Sequence, residues 1–153
     1  MKFKLTVMIA VFFGFAVASV RTTYGAPPTN ACALLTTAQV SAVVGTSVSA
    51  GTPLFPTDKK VCRWHGTKIQ VQLFLKNAEA FASAKMAFPG KVVVSASGIG
   101  DDAVYTSGGR TPAVLSVRKG DVSFNLHVLS YGLPDDKVKA MEKALALDVL
   151  AKL

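Results

Sequence analysis

Two stretches of the chain alternate apolar and polar residues, and this pattern constrains the fold more than any other feature. In KIQVQLFL, residues 68–75, Ile69, Val71 and Leu73 are separated by single polar residues. In AVLSVRKGDVSFNLHV, residues 113–128, the alternation continues on both sides of Lys119-Gly120. A period of two residues is typical of a strand with one buried face. The chain is therefore predicted to form a sheet with one apolar and one polar face.

Each stretch predicts an antiparallel hairpin. Turns at positions 66–67 and 119–120 bring apolar residues opposite apolar residues and polar residues opposite polar ones, which is how burial of one face sets the register. The predicted pairs are Cys62 with Val71, Trp64 with Ile69, Val117 with Val122, and Leu115 with Phe124. Cys62 and Trp64 are accordingly predicted to point into the core.

Three helices are predicted around these hairpins. Thr36 and Gln39 have the spacing of a capping box, which predicts a helix over 37–44 that ends at Gly45 in the left-handed conformation. Asn77 is a candidate cap for a second helix over 78–87. The third helix is predicted to begin at about Pro134. Its apolar stripe comprises Val138, Met141, Leu145, Val149 and Leu153.

Short strands are also predicted over 92–94 and 103–106, with a tight glycine turn in GIGDDAVY, residues 98–105, before the second of them. The same glycines and Asp101-Asp102 could instead belong to a nucleotide or calcium site, although the fixed spacing that such sites need is missing. The predicted fold class is α+β: a single antiparallel sheet of about five to seven strands, with helices covering one face.

The N-terminus has the pattern of a secretory signal peptide. Lys2 and Lys4 precede an apolar run over residues 5–17, and cleavage is expected after Ala18 or Gly25. An uncleaved anchor is the alternative, but the run is shorter than the roughly 20 residues of a spanning helix. The expected organisation is a signal peptide and short leader over 1–26 and one α+β domain over 27–153, exported to the periplasm or secreted.

The two cysteines, Cys32 and Cys62, are the only ones in the chain. An even pair in an exported protein is most simply a disulfide, here one that links the start of the first helix to the first hairpin. The alternative is a redox or metal pair, but the spacing is not C-x-x-C and no further ligand is near in sequence.

The charge of the chain bears on its partners. Removal of Lys2, Lys4 and Arg21 from 17 basic residues leaves 14 against 9 acidic ones, a net charge of +5. The basic residues are spread along the chain, and nucleic acid is not an expected partner of an exported protein. The partner we expect is an anionic envelope component or another envelope protein.

The polar face of the predicted sheet is the candidate binding surface, because its cations would favour an anionic group. Its residues are Arg63, His65, Lys68, Gln70, Arg118, Ser123, Asn125 and His127. A simply solvated face is the alternative. The two histidines could ligate zinc only if further ligands joined them, so neither a metal nor a cofactor is expected.

No catalytic residue is predicted, because no motif for a nucleophile or a metalloprotease is present. We therefore expect a non-enzymatic binding or accessory role in the cell envelope. Two alternatives stay open: a small hydrolase whose site is not visible in the sequence, and a structural subunit of an envelope assembly that Leu147 and Leu150 would contact.

The chain also resembles a family. It has the opening Cys32-Ala-Leu-Leu-Thr before a capped helix, then Cys62-x-Trp64, then Gly98-x-Gly100-Asp101 before a strand. These motifs, with the hairpin and the C-terminal helix that follow them, resemble a group of small secreted or lipid-anchored bacterial domains of unknown function. The resemblance implies a bond between Cys32 and Cys62 and a location on the export side. It implies no catalytic residue.

Overall fold

The computed structural model describes residues 27–108 and 111–153, except for the side chain of Thr111. The predicted signal peptide and its cleavage sites lie outside these residues. Within them, a 3₁₀ turn at Ala31–Ala33 precedes the first helix, and the described elements comprise three α-helices and seven strands. The helices are α1 (Thr37–Val44), α2 (Glu79–Lys85) and α3 (Asp135–Leu150). The strands are β1 (Thr52–Phe55), β2 (Asp58–His65), β3 (Ile69–Asn77), β4 (Lys91–Ser95), β5 (Asp102–Gly108), β6 (Thr111–Lys119) and β7 (Val122–Ser130).

All seven strands form one antiparallel sheet in the order β1-β2-β3-β7-β6-β5-β4. The predicted α+β class with a single antiparallel sheet is thus confirmed. Strand β1 was not predicted, because its four residues show no alternation and are mostly exposed.

The capping box predicted for α1 is present. The Gln39 amide donates to Thr36 Oγ1 at 3.2 Å, and Gln39 Oε1 accepts from the Thr36 amide at 3.0 Å. Gly45 ends the helix with φ +71°, a conformation that glycine adopts without steric cost. The prediction of this helix over 37–44 is confirmed at both ends.

Both predicted hairpin registers are wrong by two residues. Cys62 lies opposite Leu73 and Trp64 opposite Val71, because the connection is a loop over 66–68 in which the Gly66 amide donates to the Ile69 carbonyl at 2.8 Å. In the second hairpin the turn is Gly120-Asp121. The observed pairs there are Leu115 with Leu126 and Val117 with Phe124. A shift of two leaves every side chain on its predicted face.

One face of the sheet, which we call the covered face, carries the main core. Trp64, Val71 and Phe124 on this face are at most 1% exposed. They belong to the same buried cluster as residues of α1 and α3, namely Val40, Val44, Val138, Leu145 and Val149. Met141 and Leu153, also predicted for the stripe of α3, pack at the margin of this cluster. Helices α1 and α3 therefore cover this face.

The predicted disulfide joins the 3₁₀ turn to the covered face. Cys32 and Cys62 are bonded, with their Cα atoms 5.0 Å apart. Cys62 is fully buried opposite Leu73. The bond is consistent with an oxidising compartment. In the parts of the chain that the structure describes, no helix has both the length and the apolar character needed to cross a membrane.

Helix α2 packs on the opposite face, which we call the open face. Ser123 Oγ on this face donates to the Asn77 carbonyl, just before α2, at 2.6 Å. Lys85 at the end of α2 forms an ion pair with Asp102 at 2.7 Å. Asn77 caps the helix as predicted, because its Oδ1 accepts from the Ala80 amide at 3.2 Å. Only part of the open face is covered in this way.

Candidate binding site

The open face carries most of the residues predicted for a binding surface. Seven of them lie in strands with the opposite side-chain alternation to Cys62, Trp64 and Phe124, whereas Lys68 lies in the loop after β2. The seven are Arg63, His65, Gln70, Arg118, Ser123, Asn125 and His127. The structure divides seven of the eight residues among three regions of this face, and the eighth, Asn125, lies between Phe74 and Ser116 in the ladder.

The first region lies beside α2 and is structural. Ser123 is 1% exposed and its hydroxyl is bonded to the Asn77 carbonyl. Arg118 pairs with Ser123 across β6 and β7 and with Asp102 across β5 and β6. Because α2 restricts access here, these residues are poorly placed to bind a ligand.

The loop of residues 98–101 also has a structural role, as the glycine-turn prediction requires. Gly100 has φ +60°, and a Cβ atom at this position would lie 2.5 Å from the Arg118 carbonyl oxygen. Asp101 accepts from the Gly120 amide at 2.7 Å, and this hydrogen bond is the main cause that lowers the pKa of Asp101. A strand follows rather than a helix, which is the wrong context for a dinucleotide site.

The second region is a row of polar residues across the middle of the sheet. Arg63 pairs with Gln72, which pairs with His127 on the other side. Within the described residues, Arg63 Nε and His127 Nε2 are buried atoms without a hydrogen-bond partner. Burial lowers the pKa of His127, since it penalises the charged form, and so keeps this ring neutral at pH 7.

The third region contains a cavity of about 490 Å³. It brings together three predicted residues, His65, Lys68 and Gln70, with apolar neighbours that sequence reasoning did not assign to the site. The neighbours are Ile69, Pro112, Leu129 and Tyr131. None of the described residues that line this cavity is acidic. Its volume falls within the range of small-molecule sites in proteins, about 300 to 1,000 Å³.

The cavity lies where β7 continues beyond its pairing with β6. The β6–β7 register runs from Leu115–Leu126 to Lys119–Val122, whereas β7 pairs with β3 as far as Ser130 and Ile69. Pro112 lies in the part of β6 beyond this register and cannot donate a ladder hydrogen bond. The strands at this end of the sheet are therefore less completely paired. The alternation of apolar and polar residues does not indicate this loss of pairing.

A buried acid, Glu142, lies at the same strand ends but on the covered face. It is fully buried, and its Oε1 accepts from the Val128 amide of β7 at 3.1 Å. Its Oε2 atom has no partner in the described part of the chain. Sequence reasoning missed this residue, although its spacing from Val138 and Leu145 places it on the apolar stripe of α3.

The surroundings of Glu142 keep it protonated. Burial raises its pKa to about 8, which outweighs the hydrogen bond from Val128. Asp135 raises this pKa further, whereas Lys139 lowers it. Tyr105 donates to the Lys139 carbonyl at 2.9 Å. Burial raises the Tyr105 pKa, and so does the carboxylate that Glu142 becomes once the pH exceeds its own pKa of about 8.

The described residues offer no cluster for a metal ion. Nowhere in 27–108 and 111–153 do three histidine, cysteine, aspartate or glutamate side chains come together as ligands. The two cysteine sulfur atoms are bonded to each other, so neither is available as a thiolate ligand.

Comparisons with protein-family models, with curated proteins and with solved structures give no match for this chain.

Proposed function

We propose that the protein is an exported, non-enzymatic binding domain whose site is the cavity at the end of β3 and β7. The ligand class is a small molecule that joins an anionic group to an apolar body. The observation that carries this proposal is the lining of the cavity, in which Lys68 and His65 adjoin Pro112, Leu129 and Tyr131, and no described lining residue is acidic.

The lining supports each half of this ligand class. Lys68 is exposed and Gln70 half-buried, so an ammonium group and an amide are available to an anion. Pro112 and Leu129 are half-buried and Tyr131 is 89% exposed, whereas Ile69 is buried in the core of the covered face. Apolar residues beside a few polar groups are the common composition of a ligand pocket.

Export is the second part of the proposal. Its supports are the signal-peptide pattern over residues 1–26 and the disulfide between Cys32 and Cys62. We further propose kinship with the small bacterial export-side domains that the sequence motifs resemble. An anionic envelope component would then be the natural source of the ligand.

The alternative of a hydrolase has less support from the described residues. Ser123 is buried and donates its hydroxyl to a backbone carbonyl. His127 Nε2 has no partner there. A serine nucleophile needs a histidine within hydrogen-bond reach, and neither residue meets this requirement.

Octanoate is a suitable probe, because it combines a carboxylate with an apolar chain. Titration of the ¹⁵N-labelled protein with octanoate, followed by NMR, is expected to shift the amides of residues 65–70 and 129–131. Octanol has only the apolar chain and inorganic phosphate only the anionic group. Each is expected to bind at least several-fold more weakly than octanoate. The absence of saturable octanoate shifts at millimolar concentration would refute the proposal.

The Lys68→Gln variant tests the charge. An exposed ion pair contributes about 0.2 to 1 kcal/mol, so octanoate affinity should fall roughly 1.4- to fivefold while octanol binding is unchanged. Lys76→Gln is the matched control, since Lys76 is an exposed lysine at the far end of β3. Equal losses in the two variants would show that only general electrostatic attraction acts.

A further inference from the structure

Strand β4 forms one edge of the sheet, and part of its backbone faces away from the sheet. The Ala96 amide donates to the Ala103 carbonyl at 2.9 Å, and Ser95 is paired with Val104. Since hydrogen-bonded and non-hydrogen-bonded pairs alternate along an antiparallel ladder, Val93 and Ser95 direct their amides and carbonyls outward. Lys91 also directs its backbone outward, but its amide already donates to the Phe88 carbonyl at 2.9 Å.

The side chains along this edge are unusually apolar for an exposed strand. Val92 is 57% exposed and Val94 is 51% exposed, and both point to the covered face of the sheet. Met86 and Phe88, in the segment just before β4, are 65% and 62% exposed. These four residues account for most of the strongly exposed large apolar side chains among the described residues.

The edge also lacks the usual protection against pairing with another chain. A lysine commonly blocks such an edge, but the Lys91 ammonium is directed back to three carbonyls at the end of α2. The carbonyls belong to Ser83, Ala84 and Met86, at 3.2, 2.8 and 2.8 Å. The other edge strand, β1, is protected by Pro53 and by a register irregularity between Pro53 and Phe55.

We propose that β4 is a self-association surface, where it pairs antiparallel with β4 of a second copy about a twofold axis at Val93. In this register the two Val93 residues exchange both backbone hydrogen bonds. Each Ser95 amide then donates to the Lys91 carbonyl of the second copy. The two sheets become one continuous sheet joined by four backbone hydrogen bonds.

The sequence of the strand is complementary to itself in this register, which is why the occupant is a second copy. Val92 lies opposite Val94 of the second copy, so the exposed valines form one apolar row. Lys91, the sole charged residue in the segment 86–98, lies opposite Ser95, so no like charges meet. Because β1 is protected, the pairing closes at a dimer instead of extending into a fibre.

The size and charge of this interface set its strength. Strand-to-strand contact over five residues belongs to the class of small interfaces, below about 1,200 Å² in total, so the dimer should depend on concentration. Each copy carries a positive net charge, +8 for the full chain. Added salt screens this repulsion and should therefore strengthen dimerisation.

Sedimentation equilibrium of the purified full chain tests the proposal. The wild type is expected to show a reversible monomer–dimer equilibrium that shifts toward dimer with salt. Val93→Pro removes the outward amide without breaking a hydrogen bond of the monomer, and should weaken dimerisation at least tenfold with an unchanged circular dichroism spectrum. Thr52→Lys, on the β1 edge, is the matched control and should dimerise like the wild type.

A cysteine at the axis tests the register independently. In a hydrogen-bonded antiparallel pair the two Cα atoms are about 5.5 Å apart, which a disulfide can span. Val93→Cys should therefore form an intermolecular disulfide under mild oxidation, and Thr52→Cys should not. A monomeric wild type at millimolar concentration, or Val93→Pro that dimerises like the wild type, would overturn the proposal. So would binding of a synthetic KVVVS peptide by a protein that does not dimerise.

Discussion

The two faces of the sheet are built from the same strands but stabilised by different interactions. On the covered face, apolar side chains of α1 and α3 share one buried cluster with Trp64 and Phe124, and a disulfide links the 3₁₀ turn to β2. On the open face, α2 buries Phe81, the Ser123 hydroxyl bonds to the Asn77 carbonyl just before the helix, and a partly exposed ion pair joins Lys85 to Asp102. A polar group on the covered face must therefore be neutral and hydrogen-bonded, whereas the open face can keep charges and a cavity.

Replacement of Glu142, on the covered face, is expected to have the largest effect on the free energy of unfolding. Its pKa is about 8 in the folded protein and 4.5 as a reference, so the folded state binds the proton more tightly. This stabilisation is fully present below pH 4.5 and is lost as the pH rises through about 8. Glu142→Gln stays neutral and keeps an acceptor for the Val128 amide. The difference in free energy of unfolding between this variant and the wild type should therefore change in favour of the variant by on the order of 4 kcal/mol from pH 5 to pH 9.

Urea denaturation at pH 5, 7 and 9 measures this difference. Glu79→Gln is the matched control, because Glu79 is exposed at the start of α2 and its replacement should give no comparable trend. A difference between Glu142→Gln and the wild type that stays constant with pH would contradict a protonated, buried Glu142.

Loss of the disulfide on the covered face should lower the free energy of unfolding by a smaller amount. The bond closes a loop with a sequence separation of 30, for which loop entropy suggests about 3.6 kcal/mol. Cys32→Ala/Cys62→Ala should lower the urea midpoint to about that of the reduced wild type. Reductant should leave the midpoint of the double variant unchanged. A wild type whose midpoint does not move after complete reduction would show that packing alone holds the 3₁₀ turn.

On the open face, Ser123→Ala should have the smallest effect of the three. It leaves the Asn77 carbonyl without its 2.6 Å donor and should cost about 1 kcal/mol of unfolding free energy. Ser97→Ala, at an exposed position, is the control and should be close to neutral. A loss of several kcal/mol for Ser123→Ala would mean that this face contributes as much as the covered one.

The sequence predicts which face of the sheet each strand residue occupies, but it does not predict the register in which the strands pair. Alternation places Trp64 and Phe124 in the core under any even shift, so the covered face could be predicted. The register depends on the loop at 66–68 and the turn at Gly120-Asp121, whose local energetics one residue pattern does not reveal. For this reason the predicted registers of both hairpins differ from the observed ones by two residues. The bounds of α1 were predicted correctly, because its capping box fixes the start and Gly45 the end.

The candidate site was predictable only in part for a related reason. His65, Lys68 and Gln70 come from one hairpin, and all three line the cavity. Pro112 and Leu129 join them through the order of strands in the sheet, which is a long-range property. Glu142 could have been found from its spacing on α3, since an acid within an apolar stripe is either buried and neutral or breaks the packing.

The disulfide also determines how the molecule should respond to a protease. The backbone between Cys32 and Cys62 includes α1, β1 and the exposed turn at Pro56-Thr57. A single cut in this stretch would produce two polypeptides that remain covalently linked through the Cys32–Cys62 bond. A nicked molecule would thus keep its mass, apart from one added water, until it meets a reductant, and only then would the N-terminal piece separate.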